Sequence, residues 1–138
     1  MPVKRVKPAE AAGLLQEGWK YVDVRSIPEF EAGHPTGALN VPLLHLQAGG
    51  MVPNPEFQAV VAKVFAKDEK LVCGCRSGGR SQRAAEMLLA WGYPNVVDMA
   101  GGWEGERDML GRPIPGWRAS GLPVELEAPG RTWEELKK

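Results

Sequence analysis

The sequence predicts an α/β domain built on a largely parallel sheet, and three observations lead there. Short runs of β-forming residues alternate with segments of helical apolar spacing. Glycine or proline marks nearly every change between them, with 17 Gly and 12 Pro in the chain, more punctuation than a helical bundle tolerates. The length of 138 residues suits one domain, since compact domains mostly hold roughly 100–150 residues. Residues 1–138 therefore read as a single domain, with a core over about 3–124 and a peripheral tail over 125–138.

Val3 to Val6 reads as a first short strand, and Lys7-Pro8 opens a helix with proline near its first position, where a missing N–H is tolerated. Ala11, Leu14 and Leu15 recur at helical spacing before Gly18 stops the helix. Lys20 to Val24 is rich in β-formers. Ile27 to Ala32 gives one or two helical turns ending at Gly33, and Leu39-Asn40-Val41 is a strand stopped by Pro42. Gly49, Gly50, Pro53 and Pro55 mark a loop, after which Val60, Val61, Val64 and Phe65 form one stripe of a helix over about Glu56–Ala66. Lys70 to Cys73 is the next strand. Arg80 to Trp91 is the clearest helix, with Ala84, Met87, Leu88 and Trp91 at i, i+3, i+4 and i+7 and Gly92 at its end. Asn95 to Asp98 is a further strand. From Gly101 onward Gly, Pro and Trp dominate and no regular element is assigned; the polar segment Arg131 to Lys138 reads as peripheral.

Composition narrows the function. Lys+Arg and Asp+Glu number 17 each, so the chain lacks the basic footprint of a nucleic-acid or acidic-lipid binder. No apolar run approaches the roughly 20 residues of a membrane helix, and Met-Pro-Val-Lys-Arg-Val-Lys-Pro is too polar for a signal peptide. A soluble, cytoplasmic protein is the expectation. Cys73 and Cys75 are separated by one residue, so a bridge between them would be badly strained. With His34 and His45 they show no metal-ligand spacing, and no metal or cofactor is expected.

In parallel α/β domains ligands sit outside the carboxyl ends of the strands. The strand ending at Cys73 and the helix near Arg80 are joined by Gly74-Cys75-Arg76-Ser77-Gly78-Gly79-Arg80-Ser81. Gly78 and Gly79 permit positive φ, so successive N–H groups can curl into a nest. The helix behind adds its free N–H groups and the positive end of its dipole. Arg76 and Arg80 add two permanent charges that can fork onto an oxyanion, and Ser81 is placed to cap the helix. A thiolate at Cys75 would be stabilised in such a cradle, and an anionic substrate drawn to it.

Cys75-Arg76-Ser77-Gly78-Gly79-Arg80-Ser81 resembles the active loop of the rhodanese-like sulfurtransferases, single-domain type. Asp23-Val24-Arg25, Glu29-Phe30-Glu31-Ala32-Gly33-His34, Gly37-Ala38-Leu39-Asn40-Val41-Pro42, Gly101-Gly102-Trp103 and Gly121-Leu122-Pro123-Val124 continue the resemblance in the family's order. The resemblance implies a parallel sheet flanked by helices on both faces. It also implies that Cys75 takes the outer sulfur of thiosulfate or a related donor as a persulfide, then gives it to a thiol, cyanide or a protein acceptor. Backbone N–H groups of Arg76, Ser77, Gly78, Gly79, Arg80 and Ser81 would hold the terminal sulfur, and Arg80 and Arg76 the donor's sulfonate. His34, Asp23 and Arg25 would serve the scaffold, and no cofactor is implied.

Cysteine phosphatases and arsenate-reducing relatives of this fold resemble Cys-x5-Arg. Cys75 to Arg80 is Cys-x4-Arg, a narrower loop suited to one sulfur atom. The rivals that remain are a non-catalytic rhodanese-like binding module and a sulfur relay between proteins. Glu104 to Ser120 is longer than the family's usual connection, and Trp117 takes the usual aromatic position in this reading. Cys73, on the same side of its strand as Cys75, reads as a core residue. The five Trp residues read as packing.

Overall fold

The computed structural model describes residues 3–138. In chain order the elements are β1 (Lys4–Val6), α1 (Pro8–Gln16), β2 (Lys20–Asp23), α2 (Ile27–Glu31), β3 (His34–Pro35), β4 (Leu39–Asn40), β5 (Leu44–Gln47) and β6 (Gly50–Pro53). Then follow α3 (Phe57–Val64), β7 (Leu71–Gly74), α4 (Gly79–Ala90), β8 (Val96–Met99), β9 (Gly105–Arg107), β10 (Pro113–Pro115), a 3-10 turn at Trp117–Ala119, β11 (Val124–Glu125) and α5 (Trp133–Leu136). The main sheet runs β1-β8-β7-β2-β4 with every neighbouring pair parallel. Three two-stranded antiparallel pairs, β5 with β6, β9 with β10 and β3 with β11, are attached to it.

Alternation along the central strands divides the interior in two. Val22, Leu71, Cys73 and Val96 face a core completed by Val60 and Val61 of α3, Ala84 and Leu88 of α4, and Trp133 of α5. Tyr21, Val72, Val97 and Met99 face the other side, against Ala11 of α1, Phe30 of α2 and Trp117. Helices thus cover both faces, which is why the central strands are short, apolar and buried throughout. β7 is the middle strand, so its carboxyl end is held on both sides by β2 and β8. The loop that follows starts from the most constrained point in the sheet.

Where the sequence predicts a loop over 49–55, the structure has the hairpin of β5 and β6, paired from Leu44↔Pro53 to Gln47↔Gly50. Its strands are half apolar, and the second opens on Gly50 and ends on Pro53, so periodicity alone reads the segment as loop. A second hairpin lies in the unassigned Gly-Pro stretch. Asp108 Oδ1 accepts the N–H groups of Leu110 and Arg112, both at 2.9 Å, and turns β9 back into β10.

The peripheral tail is corrected. Trp133 is 2% exposed and belongs to the core under α4; burying an indole is worth roughly 3 kcal/mol. The Asn40 N–H donates to the Arg131 carbonyl at 3.0 Å, and Arg131 donates to the Ala38 carbonyl at 2.9 Å. This tail covers the β4 edge of the sheet, which would otherwise stand open. Among the described residues no helix is long and apolar enough to cross a membrane.

Candidate active site

The loop begins at Gly74, the last residue of β7, where a side chain has no room because the Tyr21 phenol fills the space a Cβ would take. Cys75 follows, 1% exposed. Gly78 turns the chain with φ +97° and ψ −23°, a conformation open to glycine, and its N–H donates to Cys75 Sγ at 3.1 Å. Gly79 then opens the 12-residue α4. The sulfur therefore lies inside the loop, at the end of α4 where unpaired N–H groups and the positive end of the dipole favour an anion. A second turn clamps the loop from outside. The Trp103 N–H donates to the Cys75 carbonyl at 2.7 Å and the Glu104 N–H to the Arg76 carbonyl at 2.9 Å.

The seven residues singled out from sequence are brought together, in unequal positions. Arg76 and Ser77 are exposed on the rim. Gly78 is buried and carries the positive φ; Gly79 lies within the helix instead of extending the nest. Ser81 is also inside α4, its third residue, fully buried with its hydroxyl on the Gly78 carbonyl at 3.3 Å. The N-cap is Gly78, so the expected Ser81 cap becomes a brace across the first turn.

Arg80 is engaged elsewhere than expected. Its two terminal nitrogens fork onto Glu29 at 2.7 and 2.9 Å, tying the start of α4 to α2. Burial works against the Glu29 charge, but Arg80 together with the N–H and hydroxyl of Ser26 outweighs it and brings the carboxyl down to about 2. Asp23 and Arg25 form a buried pair at 2.7 Å, and Arg25 also donates to the Gly33 carbonyl. His34 stacks on Phe30 with ring centroids 3.8 Å apart and bonds through Nδ1 to the Phe30 carbonyl. Cys73 is fully buried; burial, and then Asp98, push its thiol well above the ordinary range.

Beside the loop opens a small cleft of about 140 Å³, lined by Arg25, Glu29, Ala32, Arg76, Trp103 and Glu104. Arg25 lies 4.9 Å over the Trp103 ring, and Glu104 is within 3.5 Å of Arg118. Arg80, Arg25 and Glu104 are thus balanced by partners, whereas Arg76 makes no ion pair among the described residues. Sequence reasoning assigned no site role to Glu29 or Trp103. Glu29 sits in a capping-box spacing after Ser26, a local signal that hides the long-range pair with Arg80.

Two carboxyls near the loop titrate in opposite senses. Glu29 lies below its unfolded value of 4.5, so its pair stabilises the fold fully above that value and loses this as the pH falls through about 2. Burial raises Asp98 from 3.8 to about 6, so its favourable contribution is present below 3.8 and lost as the pH rises through 6. Glu29→Gln is expected to flatten the acid side of the stability curve between about 4.5 and 2. Urea midpoints across that range provide the measurement, and an unchanged slope would remove the ion pair as its source.

A parallel sheet whose middle strand leads through a buried cysteine into the start of a helix defines a class of α/β domains with a Cys-centred loop at the sheet's carboxyl edge. Within it the chain belongs to the rhodanese-like domain family, whose family model matches residues 7–107. It is 38% identical over 115 residues to thiosulfate sulfurtransferase 16, chloroplastic, of Arabidopsis thaliana, covering 83% of this chain and 87% of that protein. It is 41% identical over 115 residues to the senescence-associated protein DIN1 of Raphanus sativus, covering 83% of this chain and 57% of the radish protein's length. The crystal structure of Rv0390 from M. tuberculosis superposes with a TM-score of 0.76 at 27% identity, covering 92% of this chain and all of that one.

Proposed function

We propose that the chain is a sulfurtransferase working through a persulfide on Cys75. The observation that carries the reading is the Gly78 N–H held on Cys75 Sγ at 3.1 Å within a Cys-x4-Arg loop at the start of α4. The Cys75 thiolate attacks the outer sulfur of thiosulfate. A new S–S bond forms, the donor's S–S bond breaks, and sulfite leaves with its electron pair. The persulfide's terminal sulfur carries the negative charge, and the free N–H groups of the loop and α4 stabilise it. A thiolate or cyanide then attacks that sulfur, leaving as a persulfide or thiocyanate and restoring the Cys75 thiolate.

Arg76, rather than Arg80, meets the donor's sulfonate in this reading, because Arg76 stands free at the cleft and Arg80 is committed to Glu29. Arg76→Ala is expected to raise the thiosulfate KM about tenfold with little change in kcat, the loss of one charge-assisted contact. Unchanged saturation would take Arg76 out of donor binding.

Intact mass after exposure to thiosulfate tests the whole reading. The expected result is a gain of one sulfur atom, which a reductant removes. No gain with thiosulfate would favour a module that binds anions or receives sulfur from another protein. Arsenate reduction or phosphate-ester hydrolysis faster than sulfur transfer would overturn the argument from loop length.

A further inference from the structure

Against the loop lies a charged cluster that the proposed chemistry does not use. Arg5, on the edge strand β1, donates through Nε to Asp98 Oδ2 at 2.9 Å and forks onto Glu106 at 2.8 and 3.3 Å. Asp98 is fully buried beside it in register, with its other oxygen unpartnered. Glu106 Oε1 also accepts the Gly101 N–H at 2.7 Å, anchoring the turn whose Trp103 and Glu104 N–H groups hold the carbonyls of Cys75 and Arg76. The cluster reaches the loop directly. A Cβ on Gly78 would run into the Glu106 carboxylate and stand 2.6 Å from the Arg5 guanidinium, and Gly78 is the residue whose N–H holds the sulfur.

The arrangement sets mechanics against electrostatics. Glu106 is needed to fix the 101–104 turn, yet it places a carboxylate against a cradle built to hold an anion. Arg5 resolves the conflict by cancelling that charge where it touches Gly78. Neither residue belongs to the loop, and Arg5 precedes the first residue matched by the family.

We propose that Arg5 is a positioning residue for Cys75: it holds Glu106 against the 101–104 turn and screens its charge from the sulfur, so that the turn can be anchored by an acid without weakening the anion cradle. The proposal rests on the reading of Cys75 as the nucleophile.

The test is the rate at which iodoacetamide alkylates Cys75 at neutral pH, located by peptide mass. Arg5→Gln is expected to slow alkylation about fivefold, the order of one unit charge acting across a screened interior, and a higher pH should restore the rate. Glu106→Gln keeps an acceptor for the Gly101 N–H but removes the charge, so the thiol should react at least as fast as in the wild type. The double variant should return towards the wild-type rate, and Arg5→Lys should retain most of it. Equal slowing in both single variants, with further loss in the double, would show mere packing and overturn the proposal. If Arg5→Gln does not fold, slowing in Glu106→Gln alone overturns it. Alkylation needs no sulfur donor, so these rates can follow the expected order even in a protein that takes no sulfur from thiosulfate. That outcome would defeat the sulfurtransferase reading and leave the role of Arg5 standing.

Discussion

Cys75→Ser is expected to lower sulfur transfer by about 10³-fold or more, the usual scale for removing a covalent nucleophile, and to abolish the mass gain from thiosulfate. A serine hydroxyl placed beside the Gly78 N–H has the geometry of the thiol without its ease of ionisation or its capacity to form an S–S bond. Cys73→Ser is the matched control, because Cys73 lies in β7 two residues before Cys75 and belongs to the same buried cluster. Its thiol is fully buried, and burial, then Asp98, push it well above the ordinary range, which disfavours the thiolate that sulfur relay requires. A hydroxyl there costs roughly 1–3 kcal/mol of stability, read as a lower melting temperature, while turnover per folded molecule stays near the wild type. Steady-state assays of the two variants at matched folded fraction make the comparison. Residual activity in Cys75→Ser equal to that of Cys73→Ser would remove the persulfide from the mechanism.

The contrast between these cysteines shows what a linear sequence can disclose. The strand ending at Cys73, the Gly-rich turn and the periodic helix from about Arg80 are local patterns, and each falls within a residue or two of its place in the structure. The parallel arrangement followed from their alternation. What stayed hidden was the partner of each charge. Arg80 reads as a free cation beside the thiol until Glu29, 51 positions away, is seen to occupy it. Arg5 and Glu106 are 101 positions apart, and neither carries a periodic or motif signal. The tail is hidden for a related reason: Trp133 stands in a polar segment, and a single indole among charges gives no apolar stripe, although it is buried in the core that also holds Ala84 and Leu88 of α4. Fold class depends on local alternation; a site's electrostatics depends on pairs that only the folded chain assembles.

Gly102→Ala carries the second large effect, and it tests whether the clamp on the loop matters as much as the thiol. Gly102 has φ +60°, and a Cβ on it would stand 2.6 Å from the carbonyl oxygens of both Cys75 and Arg76. Those are the carbonyls that receive the Trp103 and Glu104 N–H groups, and the Gly102 carbonyl itself accepts the Trp117 N–H at 2.8 Å. Every atom in the collision is backbone, so no rotamer change relieves it. The turn must withdraw, and the loop loses its outer support. Overpacking of this kind together with the positive φ costs about 3 kcal/mol. A displacement near 1 Å at the reacting atoms costs about 10²-fold in rate, so kcat should fall by that order even in the folded fraction. Gly13→Ala makes the same chemical change in the middle of α1, where nothing lies within 4 Å, and helix propensity should there raise stability by about 1 kcal/mol. Chemical denaturation and single-turnover rates on the pair separate the two possibilities. If Gly102→Ala turns over like the wild type, the cradle holds its shape without the 101–104 turn, and the geometry around Sγ is set by Gly78 and the start of α4 alone.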